Sequence, residues 1–78
     1  MRQFEIQVKS VKDVLAFVSL ATKRSFSITV GSEHHQVNGK SFMEMFSLNF
    51  RQPLTVTAQC SEEEFELLLN DAERFVVK

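Results

Sequence analysis

The chain opens on a period of two. Phe4, Ile6 and Val8 are separated by Glu5 and Gln7, the pattern of a strand with one buried face. At Ser10 the period changes. Val11, Val14, Leu15, Val18 and Ala21 recur at steps of three and four, which predicts an amphipathic helix over about residues 11–23. Ser10 is a natural N-cap with Asp13 three positions on, while Lys23 and Arg24 complement the dipole at the far end. Phe26, Ile28 and Val30 alternate with Ser25, Ser27 and Thr29, predicting a second strand. Gly31-Ser32-Glu33 reads as a hairpin turn and residues 34–37 as a short third strand. Asn38-Gly39 is a turn signal because both residues tolerate positive φ. Ser41 is placed to cap a short helix over residues 42–48. Pro53 opens a last strand in which Leu54, Val56 and Ala58 alternate with Thr55, Thr57 and Gln59. Ser61-Glu62-Glu63-Glu64 is a capping box, and Phe65, Leu68, Leu69, Ala72, Phe75 and Val76 form one apolar stripe behind it. The order is βαββαβα. It predicts an α+β fold: a four-stranded, largely antiparallel sheet with three helices on one face and the other face toward water.

Composition narrows the function classes. Seventy-eight residues without linker, repeat or low-complexity stretch are expected to form one domain over residues 1–78. A domain this small buries only about 60% of its unfolded surface. Nine basic residues against ten acidic give a net charge of −1, so no broad footprint for nucleic acid is expected. No apolar run reaches the ~18–20 residues needed to span a bilayer, and the first residues lack the apolar core of a signal peptide. With a single cysteine, Cys60, the expectation is a reduced, cytoplasmic setting without membrane insertion.

Candidate chemistry is sparse. His34 and His35, adjacent on a predicted strand, would point to opposite faces and could not chelate one metal together. Cys60 precedes a helix N-terminus, which lowers a thiol pKa, yet no partner base can be named for it. Glu62, Glu63 and Glu64 do not share a helix face, and the dipole already explains them. With only Gly31 and Gly39, there is no glycine-rich phosphate loop. No enzyme activity, metal or cofactor is expected.

The short helix is more informative. Phe42, Met43, Met45, Phe46 and Leu48, with Phe50 just beyond, are more apolar bulk than one core-facing stripe can bury. Met45 and Leu48 share one face; Phe42, Met43 and Phe46 share another. One face should enter the core and leave the other exposed, as Phe/Met surfaces that bind proteins are. A phosphate on Ser41 would meet the positive end of that helix.

The stretch Val37-Asn38-Gly39-Lys40-Ser41-Phe42-Met43-Glu44-Met45-Phe46-Ser47-Leu48, with this element order, resembles the HPr family, the histidine-containing phosphocarriers of the bacterial phosphoenolpyruvate-dependent sugar phosphotransferase system. Ala21-Thr22-Lys23 also resembles the end of the family's first helix. The resemblance spans nearly the whole chain and implies an open-faced β-sandwich. It places Ser10 where family members carry the phosphorylated histidine, with Lys12 in place of an arginine and Asp13 in place of a proline. A phosphoserine ester does not readily pass its phosphoryl group onward, Asp13 would repel a phosphate there, and Lys12 keeps the charge without the bidentate fork. The serine matching Ser41 is phosphorylated in many Gram-positive members by an ATP-dependent HPr serine kinase, after which the protein binds a transcriptional regulator. Phe42, Met43 and Phe46 match the family's docking surface, whereas Glu44 stands where glycine is usual. The resemblance therefore implies a regulatory or protein-binding module without histidine carrier activity, its partners being phosphotransferase-system proteins or a transcriptional regulator. Two alternatives stand beside it: a diverged phosphocarrier acting through His34 or His35, and a phosphate-independent assembly module.

Overall fold

A computed structural model of the chain describes every residue except Met1, Glu33, Phe50 and Lys78. Glu33 of the anticipated hairpin turn and Phe50 of the apolar cluster thus lie outside the described residues. The elements are β1 (Arg2–Ile6), α1 (Val11–Thr22), β2 (Ile28–Gly31), β3 (Gln36–Asn38), α2 (Phe42–Met45), β4 (Leu54–Ala58) and α3 (Glu62–Asp71), followed by a 3₁₀ turn at Glu73–Phe75.

The four strands make one antiparallel sheet in the order β1-β4-β2-β3. Its register explains the alternation read from the sequence. Phe4 lies opposite Val56, Val56 opposite Val30 and Val30 opposite Val37, so a row of apolar side chains crosses the whole sheet on one face. One residue along, Gln3, Thr57, Thr29 and Asn38 form the corresponding polar row. Gln3 Nε2 donates to Thr57 Oγ1 across it at 3.2 Å. Ile6, Ile28, Val30, Leu54, Val56 and Ala58 are buried with the inner sides of the helices in a single core.

Several boundaries differ from the sequence reading, each for a local reason. Val8 is buried but lies beyond β1, because Gln7 N donates to Phe75 O rather than continuing the ladder with β4. The second strand begins at Ile28, not in the serine-rich stretch before it, and the third occupies Gln36–Asn38 rather than residues 34–37. His34 and His35 therefore sit in the β2–β3 loop, not on a strand, so the opposite-faces argument does not apply to them. No described residue has positive φ, so the Asn38-Gly39 turn does not rest on that freedom. Gly39 is needed for a different reason: a Cβ there would meet Ile28 Cγ2 at 2.9 Å and Val30 Cγ2 at 3.0 Å. The stripe behind Ser61 breaks too. The helix ends at Asp71, and the 3₁₀ turn brings Phe75 into the core alongside Leu68 and Ala72.

The largest revision concerns α1. Its buried residues are Val14, Phe17, Val18 and Ala21, an unbroken i, i+3, i+4, i+7 set. Phe17 replaces Val11 and Leu15 in the predicted stripe. It is fully buried and meets Phe75 edge-to-face at 6.2 Å. Val11 and Leu15, one turn apart, are exposed to 53% and 46%. An aromatic ring has more apolar area to lose than either, so the helix turns that way.

Candidate functional site

Two serine-capped helix starts and an apolar surface define the candidate site. At the first, Ser10 has extended backbone and its Oγ accepts from Asp13 N at 3.3 Å. The Asp13 carboxylate turns back, one oxygen accepting from Lys9 N at 3.0 Å. Its other oxygen lies 3.4 Å from an Arg74 guanidinium nitrogen. Arg74 arrives from the 3₁₀ turn with its guanidinium 4.6 Å from the Phe75 ring centroid. The C-terminal segment is thereby tied to the start of α1. It is tied to β1 as well, by the Gln7–Phe75 bond (2.7 Å) and by Val77 N donating to Glu5 O (3.0 Å). Sequence reasoning did not single out Arg74. Its position is a consequence of the break after α3, which carried no periodic signal. Lys12 is exposed and has no ion-pair partner among the described residues.

The second start is built by a turn. Asn38 Oδ1 accepts from Lys40 N at 3.0 Å and Asn38 O from Ser41 N at 3.1 Å, aligning Ser41 for the cap. Ser41 Oγ accepts from Glu44 N at 3.4 Å, and Ser41 O accepts from Met45 N at 2.9 Å. The Glu44 carboxylate lies 3.5 Å from Asn38 N, on the outer edge of β3. Lys40 Nζ donates to Arg24 O at 2.6 Å, connecting the segment before α2 to the end of α1. Arg24 in turn pairs with Asp71 of α3.

α2 ends at Met45 with Phe46 as its C-cap, short of the helix predicted over residues 42–48, but the apolar residues of the segment divide between core and solvent as the sequence predicts. Met45 is 1% exposed and Leu48 is buried, whereas Met43 is 74% exposed, with Phe42 and Phe46 exposed beside it. The Phe42 and Phe46 rings pack on each other edge-to-face at 6.0 Å. α1 packs against α2, and Val11 and Leu15 are exposed on α1. Periodicity had assigned both to the core. The signal that could have freed them was Phe17, whose bulk outweighs theirs.

The remaining candidates are placed elsewhere. His35 Nε2 lies 3.3 Å from Ser47 Oγ, and Ser47 Oγ donates to Glu44 O at 2.6 Å, closing the end of α2. His34 is exposed. Cys60 is half-buried just before the Ser61 cap. Burial pushes its thiol pKa up, and the nearby Glu64 carboxylate adds to this against the opposing pull of Arg2. The helix start does not activate this thiol, because the capping-box carboxylate already occupies it; Glu64 accepts from Ser61 N at 3.0 Å. The described residues contain no group of three His, Cys, Asp or Glu side chains able to hold a metal ion. They also contain no helix long and apolar enough to cross a membrane.

Comparison with known proteins decides the family. The family model described as the PTS HPr component phosphorylation site matches residues 4–77. The chain belongs to the HPr family. Among solved structures it is similar to "HPr-C-His" from Thermoanaerobacter tengcongensis, with 30% identity and a TM-score of 0.74 over 92% of this chain and 90% of that one. The phosphocarrier protein HPr from Bacillus anthracis str. Ames shares 26% identity, with a TM-score of 0.69 over 90% and 94% of the two chains. A mycoplasma histidine-containing phosphocarrier protein matches at a TM-score of 0.73 over 94% and 89%; at 16% identity it speaks for the fold alone. No curated protein matches the sequence. The open-faced antiparallel sheet with three helices is thus the HPr fold, and a phosphotransferase-system context follows for this HPr-like chain.

Proposed function

We propose that this chain is a regulatory HPr-family protein that docks protein partners through its first two helices and does not act as a histidine phosphocarrier. The observation that carries the docking part is the solvent-exposed Phe42, Met43 and Phe46 on α2 and its C-cap, while Met45 of the same helix and Leu48 just beyond it already serve the core. Val11 and Leu15 of the contacting helix enlarge the surface, and the unpaired Lys12 supplies a positive charge at its margin. Adaptable Met and broad aromatic rings suit a surface that must bind more than one partner. The partners are proteins of the phosphotransferase system or a transcriptional regulator.

The carrier part rests on the start of α1. Ser10, not a histidine, caps this helix, and its lone-pair oxygen is engaged by Asp13 N. No base within the described hydrogen bonds activates this hydroxyl, and Asp13 places a carboxylate where a transferable phosphate would have to sit. Ser41 is the site we assign to regulatory phosphorylation: its hydroxyl would take the γ-phosphoryl group of ATP from an HPr serine kinase, with ADP leaving. The Glu44 carboxylate is directed toward Asn38 N, leaving the Ser41 N–H to the Asn38 carbonyl with no capping box, and it adds to the negative charge that a phosphate on Ser41 meets. A phosphate would add about −1.5 to −2 charge beside the apolar surface and alter partner choice by electrostatics.

Intact-mass spectrometry after two incubations tests the reading. One incubation uses phosphoenolpyruvate with the first phosphotransfer enzyme, the other ATP with the HPr serine kinase. We expect one phosphate with the kinase only, absent in Ser41→Ala. A phosphate gained from phosphoenolpyruvate would overturn the loss of carrier function and direct attention to His34 and His35. No gain in either incubation would remove the phosphoserine switch and leave docking alone.

A further inference from the structure

We draw no further inference here: the strongest candidate, the hollow of about 210 Å³ between the β2–β3 loop and the chain after α2, where His35 meets Ser47, has its serine proton committed to the Glu44 carbonyl, and nothing in the structure shows what would occupy it.

Discussion

α1 and α2 begin alike and end differently. Each is started by a serine whose hydroxyl accepts the N–H of an acidic residue three positions on, and in each that acid reaches back to an upstream N–H. α1 then runs for 12 residues and buries one continuous stripe. α2 runs for only 4, with Met45 in the core and Met43 in water. The cap therefore decides where a helix starts, while the side chains behind it decide what it is for. In α1 burial dominates; in α2 it is confined to Met45, and Met43 with the paired rings of Phe42 and Phe46 stays largely at the surface.

The contrast can be broken by substitutions on either side of it. Phe17→Ala should cost about 3–5 kcal/mol, the range for truncating a buried ring, whereas Leu15→Ala should change stability by about 0.5 kcal/mol or less. Chemical denaturation decides; equal losses would mean that Leu15, not Phe17, belongs to the core stripe. Phe46→Asp should lower stability by about 1 kcal/mol through the lost ring contact with Phe42, yet weaken binding to a phosphotransferase-system partner by about tenfold or more, as for an interface hot spot. Calorimetric titration showing undiminished affinity would remove Phe46 from the docking surface. Ser10→Ala and Ser41→Ala should each cost about 1 kcal/mol, since each deletes one capping acceptor. A much larger loss at Ser10 in thermal melts would assign that serine more than a cap.

The smallest effect concerns Cys60, where a third serine-capped start supplies the comparison. With its pKa raised, Cys60 should react with a disulfide reagent more slowly than a free thiol near neutral pH and gain rate as the solution becomes alkaline. The folded state holds the thiol proton more tightly than the unfolded state does. The associated stability is therefore present below the unfolded pKa and is lost as pH rises through the folded one. A reaction faster than that of the free thiol would restore Cys60 as a nucleophile.

Much of the fold was legible because its cues were local. The Phe4–Ile6 alternation, the Leu54–Val56–Ala58 alternation and all three serine caps each declare themselves within a few residues. So did the divided character of α2, since Phe42, Met43, Met45, Phe46 and Leu48 cannot all fit one face. What was missed depends on partners far along the chain. Val11 and Leu15 fit the helical period too, and the side that turns inward is set by the larger ring of Phe17 together with its distant partner Phe75. Arg74 meets Asp13 across 61 positions, beyond any motif. The strand limits around His34 and His35 shifted because Gly31 brings the chain so close that a Cβ would overlap the His35 carbonyl oxygen. Backbone proximity of that kind leaves no periodic trace.

The placement of β1 has a kinetic consequence. Arg2 is paired with Ala58 and Ile6 with Leu54, and its other edge is met by Phe75, Val76 and Val77. Neither neighbour is local, so β1 has nothing to pair with in this sheet until β4 has been made. Closing so long a loop carries an entropic cost that delays sheet formation relative to helix formation. During synthesis Phe4 and Ile6 stay unpaired for that time, and the docking of β4 ends the interval.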